Sequence, residues 1–521
     1  MRKTVILCKL RPYPKNSKQD KTIPAYIPLN LLAIVASLIR EGYKVIIFDE
    51  KFDNDIEDKM LAMKNEAIAV GITAQTGYEI IGGLRISKYA KEVLGIPTIW
   101  GGWHASTNPR QTAENPYVDF VVKGMGLQTI IELIKAIEKK KSMQSILGIV
   151  YKVKGKVIEN PNRKIVDMNE YPMPSYDLID LEKYIQDACQ KGIRMSNDIH
   201  FKKERALCYS TSYGCPYNCG FCANNFVFGS KITMLKPETV GEQLEYLVKK
   251  YNIQFIQFFD PNFFFNIDRV KKICHEIIRR KLNIKYALGG PRVDQIIRWD
   301  NTVLPLLKKS GCVWLGVGSE SGSQTMLNYM QKGIKVSDIM TSARKIRKSG
   351  IDMTYFFLFG LPKIENKKEL HESFTLAAEL KKLYPRILLP IYFFDPYPGT
   401  KLHQDALKKG FDEPKTLEQW GGYTPEVTDS NPLVTYVGKE YVDLIKRVMI
   451  FYLPLAYPAD MVLGTLTYVK SRMKKGKYKY LLRFLHVLAK VRVDNEFYSF
   501  PIEWIIFKFI QRMMPNKIYK R

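Results

Sequence analysis

The sequence has 521 residues, of which 46% are hydrophobic and 12% aromatic, so it is long enough for several globular domains and too apolar for a disordered chain. Its 80 Lys and Arg residues against 52 Asp and Glu residues give a formal charge of +28, which fits an anionic membrane surface, an anionic cofactor, a nucleic acid, or simply solvated lysines. The first apolar run is too short for a signal peptide, and no run of about 18 apolar residues occurs, so a cytoplasmic protein is predicted.

Residues 1–140 alternate short apolar runs with amphipathic helical patterns. Five strands are predicted at 4–10, 44–50, 67–74, 96–102 and 118–124. Three helices are predicted at 29–42, 78–93 and 127–140. This alternation is typical of a parallel, doubly wound α/β sheet, so a Rossmann-like first domain is predicted.

Residues 141–204 are predicted to form a connector with a small hairpin, and residues 205–400 return to strand–helix alternation. Strands are predicted at 206–213, 253–260, 284–290, 312–320, 351–360 and 387–395, and one helix between them at 237–251. Six such units predict a partial or full (β/α)6 TIM-type barrel, with its chemistry on the loops that follow the strands. Residues 401–521 are predicted to be mainly helical.

Three of the eight cysteines fall within the stretch SYGCPYNCGFC. Cys215, Cys219 and Cys222 are spaced C-x3-C-x2-C and directly follow the first predicted barrel strand. Four-iron clusters are normally held by four thiolates, so three thiolates leave one iron open for a substrate. The alternatives are inert thiols or a zinc site that takes Cys208 as a fourth ligand.

The cysteine motif, with Phe221 before its last cysteine, resembles the signature of the radical S-adenosylmethionine (SAM) superfamily. The resemblance extends over residues 205–400 and implies a [4Fe-4S] cluster on Cys215, Cys219 and Cys222. In that family the open iron chelates SAM, and one electron cleaves SAM to methionine and a 5′-deoxyadenosyl radical that abstracts an unactivated hydrogen. A reducing partner such as flavodoxin or ferredoxin is therefore expected.

The same resemblance implies SAM contacts at Phe221, Asp260, Arg292, Glu320 and Gly360. The Gly-Gly-Glu that binds the SAM amino group in the family is absent, and Asp260 stands at the corresponding strand end. Arg292 is expected to pair with an anionic group such as the SAM carboxylate. The alternative for Arg292 is a solvated surface side chain.

The N-terminal domain resembles the cobalamin-binding domain of one branch of this superfamily, which includes B12-dependent methyltransferases and the anaerobic magnesium-protoporphyrin ester cyclase. The resemblance rests on residues 28–49, 72–79, 100–106 and 121–129, which include the loops at the strand ends, where ligands of such sheets bind. It implies cobalamin contacts at Thr73, Gln75, Thr76, Gly101, Gly102, His104, Gly124 and Gly126. The D-x-H-x-x-G motif that supplies a cobalt-ligating His is missing, so His104 is predicted to be a tail or structural residue. The alternative is a Rossmann-like domain that has lost its ligand.

The resemblance predicts a cobalamin-dependent radical SAM enzyme, first of all a C-methyltransferase that acts through methylcobalamin. A radical cyclase, rearrangement or carbon–carbon coupling enzyme on a hydrophobic or lipid-like substrate is the alternative. An RNA methylthiotransferase would need a second set of three cysteines, and residues 1–204 contain only Cys8 and Cys189, so nucleic acid is not an expected partner. The sequence identifies neither the substrate nor a catalytic side chain.

The C-terminal region is strongly basic. Fourteen Lys and Arg residues but only three acidic residues lie between Leu463 and Arg521, and seven of the basic residues lie between Lys470 and Arg483. Apolar residues recur near helical spacing further on, at Trp504, Ile505, Phe507, Phe509 and Ile510. This pattern predicts a helix in the interface of an anionic membrane, with a lipid-like substrate as its consequence. The alternative is a helix whose stripe packs on the barrel.

Overall fold

A computed structural model of the chain describes residues 3–196, 199–201, 203–363, 367–423, 437–459 and 479–513. The basic stretch predicted to contact a membrane therefore lies, up to residue 478, outside the described residues. Among the described helices, none combines the length and the apolar character needed to cross a bilayer. Two large sheets form the framework of the described chain.

The N-terminal sheet is built from β1 Thr4–Lys9, β2 Lys44–Asp49, β3 Ala67–Thr73, β4 Thr98–Gly101, β5 Phe120–Val122, β6 Ile149–Val153 and β7 Lys156–Glu159. Its strand order is β2-β1-β3-β4-β5-β6-β7. The first five strands are parallel, as predicted, while β6 and β7 are antiparallel. The hairpin that was expected in the connector is thus a continuation of this sheet beyond residue 140.

Helices cover both faces of the N-terminal sheet because its buried strands have two apolar faces. In β1, Val5 and Leu7 join the core under the helices Leu29–Arg40 and Leu127–Glu138. Ile6 and Cys8, which point the other way, join the main core of the molecule. The other helices of this domain are Lys18–Thr22, Ile56–Ala62, Glu79–Tyr89 with a π-helical turn Ala90–Leu94, Trp103–Thr107 and Pro109–Glu114.

The central sheet contains six parallel strands and is an open half-barrel. Two short hairpins accompany it, β8 Ile193–Ser196 with β9 Ile199–Phe201, and β11 Ser212–Gly214 with β12 Ile232–Met234. The six strands are β10 Ala206–Tyr209, β13 Phe255–Phe258, β14 Lys285–Arg292, β15 Cys312–Glu320, β16 Asp352–Phe359 and β17 Ile391–Phe393, paired in that order. The predicted partial (β/α)6 barrel is confirmed.

Helices surround the half-barrel and form most of the described part of the C-terminal region, which confirms the predicted fold class. Those before and within the barrel are Leu181–Lys191, Ala223–Phe228, Pro237–Tyr251, Ile267–Arg279, Val293–Arg298, Val303–Lys309, Gln324–Tyr329, Val336–Ser349 and Lys367–Leu383. Those that follow are Lys401–Lys408, Leu417–Gly421, Lys439–Lys446, Leu453–Ala456 after a π-helical segment Arg447–Tyr452, Lys479–Asp494 and Ile502–Met513.

The helix Leu417–Gly421 connects the C-terminal region to the N-terminal domain. The ring of Trp420 packs edge-on against that of His104, with the centroids 5.6 Å apart. Asn115 Nδ2 donates a hydrogen bond of 2.6 Å to the Glu418 carboxylate. These contacts hold the helix that follows the half-barrel against the loop after β4 and the loop before β5.

Candidate active site

The three clustered cysteines lie in the loop of a short hairpin at the carboxyl end of β10. Strand β11 ends at Gly214, and Cys215 follows it directly. Gly214 has φ +80°, and a Cβ there would stand 2.1 Å from the Lys231 carbonyl oxygen, so only glycine closes this hairpin. The residues Cys215, Cys219 and Cys222 are partly accessible. Four other cysteines, Cys8, Cys208, Cys274 and Cys312, are buried in the core.

Gly220 joins the cysteine loop to the end of the helix Gln324–Tyr329 and to the helix Lys401–Lys408. Its N–H donates a hydrogen bond of 2.8 Å to the carbonyl of Met330, and its own carbonyl accepts one of 3.0 Å from the N–H of Leu402. A Cβ on Gly220 would lie 3.4 Å from Leu402 Cγ. Segments that follow β15 and β17 therefore position the cysteine loop through Met330 and Leu402.

Asp260, just beyond β13, holds the chain that enters the cysteine loop. Its Oδ1 accepts hydrogen bonds of 2.6 Å from Thr211 Oγ1 and 2.5 Å from Ser212 Oγ, and the Thr211 N–H lies 3.1 Å from both carboxylate oxygens. Arg269 donates to the Thr211 carbonyl from the other side, at 3.1 Å. Burial raises the pKa of Asp260, although these donors favour its ionised form. The carboxylate thus has protein partners of its own, and its contact with SAM stays a prediction.

Arg292 ends β14 and reaches the cysteine loop. Its Nη1 lies 3.7 Å from Cys219 Sγ, and its guanidinium carbon lies 3.9 Å from the centroid of the Tyr217 ring. Its Nη2 donates a hydrogen bond of 2.5 Å to the Lys332 carbonyl. Arg292 is only 6% exposed, so it is not the solvated side chain of the alternative interpretation.

A buried ion pair stands next to Arg292. Lys332 Nζ donates a hydrogen bond of 2.7 Å to Glu320 Oε1, and the two side chains are 9% and 12% exposed. Burial disfavours the Lys332 ammonium, but the neighbouring negative groups, led by the Glu320 carboxylate, outweigh burial and raise its pKa. Its Nζ also lies 5.7 Å from the centroid of the Phe221 ring. The structure thus brings Phe221, Arg292 and Glu320 together around a lysine that the sequence analysis missed.

Two backbone features shape this corner of the site. Glu320 has φ +64°, which is strained for a residue with a side chain and turns its carboxylate back towards the barrel. A Cβ on Gly318 would lie 2.6 Å from Glu320 Oε1 and 2.8 Å from Lys332 Nζ, so the ion pair needs glycine there. Gly360, the last predicted SAM contact, has φ +73° and donates its N–H to Tyr441 Oη at 3.1 Å. A residue of the C-terminal region therefore covers this turn.

The predicted cobalamin loops lie at the carboxyl ends of β3, β4 and β5. Thr73 pairs with Gly101 across β3 and β4, and its Oγ1 accepts a hydrogen bond of 2.7 Å from Asn30 Nδ2. Gly102 has φ +92°, and a Cβ there would lie 2.8 Å from Thr73 Oγ1. The backbone therefore passes Thr73 at a distance that only glycine permits.

These loops meet the helix that follows the cysteines. Gly124 and Gly126 have φ values of +73° and +75°, and a Cβ on Gly124 would lie 3.6 Å from the Val227 carbonyl oxygen. The ring of Trp103 packs edge-on against that of Phe228, with the centroids 6.0 Å apart. The two predicted cofactor sites therefore share one boundary.

Two stretches of the chain match known domain families. Residues 24–134 match the B12 binding domain, and residues 209–377 match the radical SAM superfamily.

The chain is a radical SAM protein with a B12-binding domain.

Relatives and solved structures extend this match over most of the chain. An uncharacterized methyltransferase of Pyrococcus horikoshii, PH0819, is 29% identical over 81% of this chain and 87% of its own length. The anaerobic magnesium-protoporphyrin IX monomethyl ester cyclase of Rubrivivax gelatinosus is 25% identical over 88% of this chain and 78% of its own. The structure of OxsB, a cobalamin-dependent SAM radical enzyme, superposes with a TM-score of 0.65 at 18% identity, over 98% of this chain and 75% of OxsB.

This radical SAM protein uses a [4Fe-4S] cluster, SAM and cobalamin, and its cysteine loop suits the cluster. In the described part of the chain, no three His, Cys, Asp or Glu side chains converge on one metal ion, which a zinc site would require. A four-iron cluster instead binds each thiolate at a different iron. Cys208, the fourth ligand of the zinc alternative, is buried in β10 and donates to Gln257 at 3.5 Å. Cys215, Cys219 and Cys222 therefore remain the proposed ligands.

His104 is buried between Thr76 and the helix Leu417–Gly421. It is fully buried, its Nδ1 lies 3.0 Å from Thr76 Oγ1, and burial lowers its pKa to about 4. Its Nε2 has no hydrogen-bond partner among the described residues, and its ring packs on Trp420. Burial thus keeps His104 neutral, and its role as a tail or structural residue stays a prediction.

The position of His104 predicts cobalamin without an axial histidine. In the cob(II)alamin state, the paramagnetic resonance spectrum of the loaded protein is expected to show no nitrogen hyperfine splitting from a histidine, because the buried His104 ring is already engaged by Thr76 and Trp420. The variant His104→Ala is expected to give the same spectrum. A nitrogen splitting that disappears in this variant would contradict the assignment.

Glu79 holds the predicted cobalamin loop at Gln75, and the titration of Glu79 makes the stability of the protein depend on pH. Its carboxylate accepts a hydrogen bond of 2.8 Å from the Gln75 N–H, and burial raises its pKa from 4.5 to about 7. The folded protein therefore holds this proton more tightly than the unfolded chain, so this contribution to stability is complete below about pH 4.5 and is lost as the pH rises towards 7.

The variant Glu79→Gln removes this titration and keeps an acceptor for Gln75. Relative to the original protein, it is expected to gain about 3 kcal/mol of stability between pH 4.5 and 8. Thermal unfolding midpoints of both proteins at pH 5 and pH 8 measure this gain, because all other groups titrate alike. Equal midpoint differences at the two pH values would contradict the prediction.

Proposed function

We propose that this radical SAM protein transfers a methyl group, through methylcobalamin, to a carbon atom of a small molecule. The observation that carries the proposal is the shared boundary at Trp103 and Phe228, where the B12 loops abut the helix that follows the cysteines. A substrate bound there would lie within reach of both sites. When bound, the cluster and SAM supply a 5′-deoxyadenosyl radical, and cobalamin carries the methyl group.

The protein's own residues bind and orient these groups. Arg292 and Lys332 place two buried positive charges beside Cys219, where the carboxylate of SAM needs a counter-charge. Glu320 accepts a hydrogen bond from Lys332 and has a second carboxylate oxygen for a hydroxyl or amino group of SAM. Gly360 and the Phe221 ring offer an uncharged turn and an apolar face to the rest of SAM. Catalysis thus depends on positioned charges, and no acid or base is assigned.

The electron that starts the reaction comes from outside the chain. We propose a low-potential carrier such as flavodoxin or ferredoxin as the donor, because the cluster must be reduced before SAM is cleaved. The substrate is a small molecule, and we propose a hydrophobic or lipid-like one. Contact of the basic C-terminal region with an anionic membrane is part of this proposal, since a lipid-like substrate resides there.

Ring closure or carbon–carbon coupling is the second candidate function. The observation that favours it is the similarity to the Rubrivivax gelatinosus cyclase over 88% of this chain. Such a reaction also begins with hydrogen abstraction and needs both domains, but its product contains no methyl group from SAM.

Deuterated SAM separates the two candidates. Reduced, reconstituted protein is incubated with methyl-deuterated SAM and an extract of the source organism, and the products are analysed by mass spectrometry. A product that gains the deuterated methyl group supports methyl transfer. A product that forms together with 5′-deoxyadenosine but carries no label would instead support ring closure or coupling. If no 5′-deoxyadenosine forms at all, both candidate functions are contradicted.

A further inference from the structure

The most exposed apolar side chains among the described residues lie in the last two helices and the turn between them. Eleven of the strongly exposed large hydrophobic residues lie between Tyr480 and Phe509, and all of them are more than 50% exposed. Elsewhere among the described residues, the most exposed large hydrophobic side chain is Leu61, at 47%. Single exposed apolar residues need no explanation, but a contiguous group of this size marks an interaction surface.

The exposed residues form a stripe along each of the last two described helices. In the helix Lys479–Asp494 the stripe is Leu481, Phe484, Val487 and Val491, at intervals of three and four residues. In the helix Ile502–Met513 it is Ile502, Ile505, Ile506 and Phe509. Phe497 and Phe500 are exposed in the turn between the helices. We call these ten residues, together with Tyr480, the outer apolar face.

The opposite sides of the two helices already have partners inside the protein. Trp504 is 7% exposed, and its indole N–H donates to the Asp443 carboxylate at 3.1 Å. Arg492 is buried and donates to Glu503 Oε2 at 3.1 Å, which joins the two helices to each other. His486 Nδ1 lies 2.8 Å from the Leu455 carbonyl oxygen. The inner sides of the two helices thus pack on the protein, as the alternative predicts, whereas the outer apolar face is exposed.

The stretch of sequence that contains the outer apolar face is strongly basic. Fourteen Lys and Arg residues but only three acidic residues occur between Leu463 and Arg521. Each of the three acidic residues is already engaged: Asp494 by Lys490, Glu496 by His371, and Glu503 by Arg492. These pairs engage Lys490 and Arg492 as well, but the excess of basic over acidic residues in this stretch of sequence remains, so an anionic partner suits this surface.

We propose that the outer apolar face docks on an anionic phospholipid bilayer, with both helices lying in the plane of the interface. Apolar side chains enter the acyl boundary, while Lys and Arg around them reach the phosphate groups. The described parts of the two helices, 16 and 12 residues long, pack on the protein with one side and expose apolar residues on the other, which suits an in-plane position. A second copy of this chain would bring like charges together, which disfavours it as the occupant. The inference rests on the membrane contact of the proposed function and defines the surface that makes it.

Vesicle sedimentation with the full-length reconstituted protein tests this surface. The protein is expected to pellet with phosphatidylcholine/phosphatidylglycerol vesicles at low salt and to be released from them at high salt. It is expected to stay in the supernatant with vesicles of pure phosphatidylcholine. The double variant Ile505→Ser/Phe509→Ser is expected to bind at least tenfold more weakly. The matched control Leu61→Ser/Val93→Ser removes two exposed apolar side chains from the B12-binding domain and is expected to bind like the original protein.

Each other outcome has a defined meaning. A double variant that binds as tightly as the original protein would overturn the assigned surface, and an original protein that stays in the supernatant at low salt would overturn membrane docking altogether. Light scattering without vesicles tests for a second copy, since a dimer that the double variant breaks would show the face to be a protein interface. Formation of 5′-deoxyadenosine is measured without lipid in every variant, so failure of the radical chemistry is distinguished from failure of docking.

Discussion

Replacing Cys215, Cys219 and Cys222 together by Ala is expected to remove the iron–sulfur absorbance and to abolish 5′-deoxyadenosine formation. The three thiols are the only protein ligands proposed for the cluster, and no other cysteine among the described residues belongs to their loop. Without the cluster no electron reaches SAM. Iron and sulfide assays on the reconstituted variant, together with chromatography of the products, measure both losses.

The control for this experiment is Cys189→Ala. Cys189 is also partly accessible, but its thiol donates to the Glu204 carbonyl at 3.2 Å, outside the cysteine loop. This variant is expected to keep its full complement of iron and sulfide and to form 5′-deoxyadenosine. A triple variant that still contains a full cluster would show that the ligands have been misassigned.

The large elements of the fold could be predicted because each has its own local pattern. The helix Pro237–Tyr251 begins at a proline and ends before Asn252, which has φ +52°. Residue types that favour a helix start and a helix end therefore mark both of its limits. The buried parallel strands appear as short runs of apolar residues. Strand β11, with three residues, and the assignment of β6 and β7 to the first sheet could not be predicted, because pairing between distant segments decides them.

The residues of the candidate site also fall into those that the sequence could predict and those that only the tertiary fold determines. The cysteine motif and Glu320 could be predicted because each lies in a distinctive segment at a strand end. Lys332 follows twelve residues after Glu320, in a loop that resembles many exposed lysine loops, and only the tertiary fold buries it. The position of Asp260 at a strand end is predictable, but its partners Thr211 and Ser212 come from the distant segment that leads from β10 into β11. The spacing of residues in the sequence does not reveal hydrogen bonds between such distant segments.

The C-terminal helices show the limit of periodicity. The pattern around residue 504 predicts an amphipathic helix but not which of its apolar residues face the protein. In the structure Trp504 packs inward, while Ile505 and Phe509 point outward. Two apolar stripes on one helix need two partners, and the sequence alone cannot distinguish a partner inside the protein from one outside it.

The variant Lys332→Met is expected to weaken SAM binding by at least tenfold and to lower the stability of the protein. Methionine keeps most of the lysine volume but leaves the Glu320 carboxylate buried without its ion pair. Breaking a buried pair on one side costs about 3–5 kcal/mol, and the lost ammonium also removes a counter-charge for the SAM carboxylate. Equilibrium binding of SAM to the reconstituted protein and thermal unfolding measure the two effects separately.

A double variant decides whether the Lys332–Glu320 ion pair takes part in SAM binding or only holds the fold together. Lys332→Met/Glu320→Leu replaces the whole ion pair by apolar side chains of similar size, a change that is often neutral for stability. Stability is therefore expected to return towards that of the original protein, while SAM binding stays weak, because neither charge is restored. The cluster should remain in place, since neither residue is a proposed iron ligand. If the double variant instead binds SAM as tightly as the original protein, the ion pair serves only to hold the loops after β15 together, and the counter-charge for SAM must come from Arg292 alone.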